Sequence, residues 1–289
     1  MKASKELLSW ILLVSLGLVW GSSFILMKQG LLVFSPIQIA SLRIFISSLV
    51  LLPMVIYRWK KIPWGRWKLF LIAGLLGNGI PSFMFPIAQT RLDSSLVGML
   101  NSMMPLLTLL VGISFWKVKA NVKVFLGLGI GLLGVIFLLW HKMGDSKDLS
   151  FACFVFIAST CYAFNTNIVK NYLSDLDSVT LTSVSFFFLG FPSGLVLWSA
   201  GISSTLFREG AMLALGLISI LAILGTALAV VVFNYLVKVR NALFAASVTY
   251  IVPVFALMWG VFFNETIVVT QLIGMSMVLG GVYLVNKKS

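Results

Sequence analysis

Apolar residues run through this chain in stretches of about twenty, separated by short polar breaks. Ten such stretches stand near 7–28, 36–57, 68–90, 94–115, 122–140, 149–169, 178–200, 210–237, 242–263 and 267–286. A helix of that length crosses ~30 Å of hydrocarbon. The pattern therefore predicts an all-α integral membrane protein with ten transmembrane helices. The breaks hold Gly, Pro, Asp, Asn and nearly every charge, and none is long enough for a soluble domain. The first run is too long for the apolar region of a signal peptide and lacks a small-x-small cleavage site, which predicts a retained first span.

One stretch of the pattern occurs twice. At a constant offset, Leu76, Gly77, Phe85, Pro105, Leu109, Gly112 and Phe115 meet Leu224, Gly225, Phe233, Pro253, Leu257, Gly260 and Phe263. Gly127 and Gly134 likewise meet Gly274 and Gly281, and the segment Trp20 to Lys28 meets Tyr162 to Lys170. Each copy joins two apolar helices through a short polar break, as expected for a helical hairpin. The duplication predicts one membrane domain of two repeats, 1–143 and 144–289, five helices each. Because five is odd, the second repeat enters the membrane in the opposite sense, so the repeats are inverted. Secondary transporters build alternating access from that arrangement, with the substrate near the midplane between repeats. Small residues spaced by four, as at Gly17/Gly21, Gly127/Gly131 and Gly190/Gly194, predict close helix contacts.

Composition agrees with a membrane protein: 60% of the 289 residues are hydrophobic, 10% are charged, and mean hydropathy is +1.07. The net charge of +13 would point to nucleic acid in a soluble protein. Counted by loop, fifteen Lys and Arg fall on the face that holds the termini and five on the other, with Arg43 inside a span. That bias follows the positive-inside rule and predicts two cytoplasmic termini in a cell (inner) membrane. The basic charge then has anionic lipid as its partner, and no nucleic-acid role is needed. Cys153 and Cys161, in one apolar run, offer neither a disulfide framework nor a metal spacing.

Trp20-Gly21-Ser22-Ser23-Phe24 in the first run, Arg43 in the second, Ser94-Ser95-Leu96-Val97-Gly98 leading to Pro105, and the second copy Ala242 to Pro253 followed by Asn264-Glu265 resemble the drug/metabolite transporter superfamily, in its EamA-type branch. The resemblance covers nearly the whole chain. It implies an exporter or exchanger of small metabolites, amino acids prominent among them, with a cavity between repeats. One departure stands out: the family's pattern ends the fourth helix of each repeat on a glutamate, and this chain has Glu265 but Lys117 at the matching place.

Polar groups inside a membrane need a partner, a wet cavity or a function. They collect here at repeat-equivalent positions: Asn78 with Thr226, Asn101 with Thr249, Ser102 with Tyr250, Trp20 with Tyr162, and Asn234 with Pro86. We expect a substrate cavity lined by Trp20, Ser23, Phe24, Asn78, Asn101, Tyr162, Asn165, Thr226, Asn234, Thr249 and Tyr250, the amides orienting polar ends and the rings forming apolar walls. The competing reading is plain interhelical hydrogen bonding. Arg43, the one ionisable residue well inside a span, is ~10 Å past Pro36. It is either a fixed cation for a substrate carboxylate or phosphate, or a structural arginine that snorkels or caps a helix end. The resemblance places it in a peripheral second helix, which favours the structural role. Pro105 and Pro253, the repeated pair, are hinge candidates.

The remaining signals are exclusions. All eight acids lie in loops or at span ends, and the single histidine, His141, ends the fifth run. No buried acid is placed to carry a proton, so exchange or facilitated diffusion is expected rather than proton coupling. No catalytic set, metal set or G-x-x-x-x-G-K-[ST] loop is present, so we expect neither an enzyme nor a cofactor. The sequence predicts a secondary transporter of small organic metabolites, with efflux of lipophilic drug-like compounds and a non-transporting accessory subunit as alternatives.

Overall fold

The apolar runs fold as helices because a chain in hydrocarbon must satisfy its own backbone groups. The computed structural model describes residues 2–118, 120–143, 146–240, 244 and 247–286, without the side chains of 2–5, 146, 234, 237, 238 and 286. Eight helices are long and apolar enough to cross a membrane: α1 (Glu6–Gly30), α2 (Pro36–Lys61), α3 (Trp64–Gln89), α4 (Ser94–Trp116), α5 (Val122–Lys142), α6 (Lys147–Tyr172), α7 (Ser178–Ser199) and α8 (Ala211–Phe233), with helix continuing beyond α8 to Val239. Two shorter apolar helices follow, α9 (Val248–Phe262) and α10 (Val269–Val285). Among the described residues, a helix thus stands over each of the ten predicted runs.

Local chemistry sets several helix starts. Ser35 and Gln38 form a reciprocal capping box around Pro36, which satisfies the backbone N–H of each at the start of α2. Asp177 accepts from the amides of Val179 and Thr180 at the start of α7.

Packing repeats with the halves exchanged. Helix α1 packs on α9 and α8, and its counterpart α6 packs on α4 and α3. Helix α2 packs on α7 and α8, and α7 packs on α2 and α3; α4 meets α9 and α5 meets α10. This is a pseudo-two-fold arrangement. The start of α2 reaches the end of α7, where Gln38 Nε2 donates to Ala200 O and Thr205 Oγ1, both at 2.9 Å. At the opposite end, Arg58 pairs with Asp177 and donates to Thr180 Oγ1 at 2.9 Å. Equivalent helices of the two halves therefore run antiparallel, which is the geometry of an inverted repeat.

The α5–α10 pair shows the same inversion at closer range. A Cβ on Gly127 would stand 2.8 Å from Gly281 O, and one on Gly134 would stand 2.7 Å from Gly274 O. Gly127 and Gly274 are repeat equivalents, as are Gly134 and Gly281, so each contact is the other with its halves exchanged. Without side chains these backbones touch directly, which is how helices associate where lipid supplies no hydrophobic drive. Elsewhere Gly17 and Gly21 admit α9, and Gly190 and Gly194 admit Ser48 and Phe45 of α2.

Candidate functional site

The two copies of the Leu-Gly pair do something the pattern did not announce. Helix α3 widens to π-helix over Leu75–Gly79, and α8 widens over Leu221–Leu228. Ile80 N–H reaches back five residues to Leu75 O, and Ala229 N–H reaches back five to Leu224 O. Such widened turns loosen the backbone ladder and recur at functional sites. In α3, Pro81 has no N–H to give the carbonyl of Gly77. In α8 there is no proline, and the carbonyl of Gly225 instead accepts from Trp20 Nε1 at 3.0 Å. The repeated Leu-Gly identity was the available signal, but hydropathy is the same for an α and a π turn.

Around the two π segments the counterparts take matching places. Trp20 packs on Phe233 with ring centroids 5.6 Å apart, and its counterpart Tyr162 stacks on Phe85 at 6.0 Å. Ser23 Oγ lies beside Gly225, and its counterpart Asn165 lies beside Gly77, at 3.0 Å and 2.6 Å from where a Cβ would stand. Only glycine lets α1 and α6 approach the π segments so closely. Phe24 adds an edge contact to Phe85 at 5.8 Å. The structure therefore brings Trp20, Ser23, Phe24, Tyr162, Asn165 and Thr226 to one place between the repeats.

Arg43 joins them. Its Nε donates to Thr226 Oγ1 at 2.9 Å, and Thr226 in turn donates to Leu221 O at 3.3 Å, inside the π turn. Nη1 lies 4.0 Å from Met27 Sδ of α1, and the guanidinium is within electrostatic reach of the Tyr162 hydroxyl. Arg43 thus neither snorkels to a membrane face nor caps a helix end, and α2 is not peripheral: it packs on both α7 and α8. Arg43, Tyr162, Asn165 and Trp20 are each half-buried among α1, α2, α6 and α8.

Other candidates are placed differently. Asn78, in the α3 π segment, is half-buried at the position equivalent to buried Thr226. Asn101, Thr249 and Tyr250 are half-buried on α4 and α9, which pack on each other beside α1. The side chain of Asn234 lies outside the described residues. Pro105 and Pro253 part company: α4 is interrupted by a turn at Ser102 and Met103 ahead of Pro105, whereas Pro253 sits within the continuous helix Val248–Phe262. Buried Asn167 is structural; its Nδ2 donates to Thr108 O and Ala163 O, both at 2.9 Å, tying α6 to α4. A separate apolar groove of about 290 Å³ lies between α2, α3 and α7, lined by Ile44, Leu75, Phe83, Leu189 and Pro192 among others, and the polar candidates do not line it.

The end of this bundle that holds the α3–α4 turn is fastened by charges. Lys28 Nζ donates to Gln89 O at 2.8 Å and Leu92 O at 3.0 Å, where cations suit a helix C-terminus. Glu265 takes the start of α4, accepting from Ser94 N–H at 2.8 Å, Ser94 Oγ at 2.6 Å and Ser95 N–H at 2.8 Å. Burial alone would raise its pKa, but these donors overrule it and hold the carboxyl below the usual glutamate range. Asp93, next to this cap, is pushed up by its own burial and by the Glu265 charge, against Lys142 and Lys28. Gly260 leaves room for the contact, since a Cβ there would meet Ser95 Cβ at 2.6 Å and Glu265 Oε2 at 2.8 Å. The equivalent positions in the other half are Lys117, Ala242 and Leu243, so the carboxylate and both serines are replaced together.

Comparison with known proteins gives these features a common setting. The sequence model of the EamA-like transporter family matches twice, over residues 7–140 and 149–287. The chain is similar to an uncharacterized transporter of Archaeoglobus fulgidus, 24% identical over 280 residues that cover 96% of this chain and 99% of that one. It is similar to the uncharacterized transporter YvbV of Bacillus subtilis, at 24% identity over 96% of this chain and 92% of that one. It is also similar to the uncharacterized inner membrane transporter YedA of Escherichia coli, at 24% identity over 86% of this chain and 80% of that one. One solved crystal structure superposes with a TM-score of 0.60 over 96% of this chain and 95% of that chain at 15% identity, a likeness of fold. A multi-pass membrane protein whose two halves each match the same transporter model, this chain belongs to the EamA-like transporter family.

Proposed function

We propose that this protein is a secondary transporter of small organic metabolites, amino acids or related compounds, working as an exporter or exchanger by alternating access between its two repeats. The observation that carries the reading is the pair of π segments at Gly77 and Gly225, each met by the aromatic and polar counterparts of α1 and α6. A solute between them contacts both halves at once, so rocking one half against the other changes the face from which it is reached. The division near residue 143 is supported by the two separate family matches. Two cytoplasmic termini are supported by the distribution of Lys and Arg, and placement in the inner membrane by the printed description of YedA. The family and relatives are transporters by name, which supports a carrier rather than an enzyme.

The test is counterflow in proteoliposomes, preloaded with unlabelled amino acids and related metabolites while entry of labelled counterparts is followed with and without a pH gradient. Entry driven by preload alone is the expected result. Entry only with the gradient overturns exchange without proton coupling, and no flux of any compound by folded protein overturns the transporter reading for this panel.

A further inference from the structure

Among the described residues, the ion pairs are Arg58–Asp177, Arg66–Asp175, Lys142–Asp148 and Arg240–Glu6, all near helix ends or in loops. Arg43 is in none of them. A guanidinium has five N–H donors. Nε is used by Thr226, Nη1 has the weak acceptor Met27 Sδ, and the Tyr162 hydroxyl is close by. Beyond these neighbours the guanidinium has, among the described residues, no carboxylate opposite it. Every described acid lies in a loop or at a span end, so among the described residues no side-chain carboxylate sits at that depth to neutralise it. An ion held inside a protein without a counter-charge is expensive, and more so inside a membrane.

We propose that the missing counter-ion is the cargo: Arg43 is the anchor for the carboxylate of a small organic monocarboxylate carried between the repeats. This rests on the transporter reading above and adds the charge class that the site selects. The Nη edge that Thr226 leaves open matches a carboxylate with two parallel hydrogen bonds. Charge counting separates a carboxylate from a phosphate. Lys28, at the end of α1, is held by the carbonyls of Gln89 and Leu92, so Arg43 supplies the positive charge of the site, and a phosphate dianion would leave an unmatched negative charge in a low dielectric. The rest of the cargo meets the Trp20–Phe233 and Tyr162–Phe85 ring pairs. One turn along α6 from Tyr162, buried Asn165 Oδ1 has no hydrogen-bond partner among the described residues, and in this proposal it is the acceptor for a donor on the cargo.

Purified protein in detergent tests this directly through thermal stabilisation by propionate, leucine and phenylalanine, each paired with its primary amide. The acids are expected to stabilise, and the amides to bind roughly ten-fold or more weakly, as expected for the loss of charge-assisted hydrogen bonds. Arg43→Lys, which keeps the charge but not the fork, is expected to weaken the acids while retaining part of the preference, and Arg43→Gln to erase the preference. Equal binding of acids and amides by the unmodified protein overturns the proposal, as does stabilisation by none of the probes. If Arg43→Gln does not fold, the paired acids and amides on the unmodified protein and on Arg43→Lys still decide. Counterflow with the same compounds reads the transporter assignment separately: flux of amides as fast as acids leaves a transporter and removes the anchor.

Discussion

Arg43 and Thr226 belong to different repeats and share a hydrogen bond of 2.9 Å that ties α2 to the widened turn of α8. Thr226→Val keeps the shape and removes the hydroxyl, leaving a buried charged donor without its acceptor. A loss of about 1–3 kcal/mol is expected. The repeat-equivalent Asn78→Ala is expected to cost less, since Asn78 is half-buried and makes no such bond among the described residues. Thermal unfolding of the two variants in detergent, side by side, checks the difference.

Gly280 and Gly281 are neighbours with opposite surroundings. A Cβ on Gly281 would stand 2.5 Å from Gly127 O and 2.8 Å from Gly131 N, whereas nothing lies within 4 Å of one on Gly280. Gly281→Ala is expected to destabilise by about 1–3 kcal/mol because backbone, not a flexible side-chain end, must move. Gly280→Ala is expected to be neutral or slightly stabilising through helix propensity. Equal melting temperatures for both would refute the close α5–α10 contact.

Glu265 gives a pH dependence with a definite sign. Its carboxyl is held below the ordinary value of about 4.3, so its contribution is present above that value and is lost as pH falls through the lower, folded-state value. Glu265→Gln is expected to lower stability at pH 7 by about 1–3 kcal/mol, the worth of charge-assisted hydrogen bonds. The gap to the unmodified protein is expected to close in acid. A gap that stays constant from pH 7 down to pH 3 would show that the charge is not what caps α4.

Asp93 has the opposite sign. Its folded-state value is raised, so its charge costs stability once pH rises through that value, and the cost vanishes in acid. Asp93→Asn is therefore expected to raise the melting temperature at pH 7 to 8 and to leave it unchanged near pH 3. A fall at neutral pH would mean that the Asp93 charge is favourable where it stands.

Pro105 and Pro253 test the hinge. Because α4 is already broken ahead of Pro105 while α9 runs unbroken through Pro253, Pro105→Ala is expected to slow exchange more than Pro253→Ala. Counterflow rates at matched protein incorporation decide it, and equal slowing would refute the assignment of movement to the α4 break.

By itself, the sequence determined the helices, their duplication and the residues on which they touch. Membrane length, apolar composition and glycine spacing each act through one segment or one pair, so Gly17, Gly21, Gly127, Gly131, Gly190 and Gly194 could be read as contact points before any neighbour was known. Even the inversion was legible, because an odd number of crossings leaves no other choice, and the antiparallel ends at Arg58 and Asp177 agree. Tertiary structure decided what hydropathy does not encode. A helix that is apolar all round carries little information about its rotation, so whether Arg43 faced lipid, a helix end or the interior depended on how α2 lies against α7 and α8. The register at Gly77 and Gly225 depended on α1 and α6 pressing against the widened turns. The role of Glu265 depended on bringing the end of α9 to the start of α4, far apart in sequence, where free amides and a carboxylate satisfy each other.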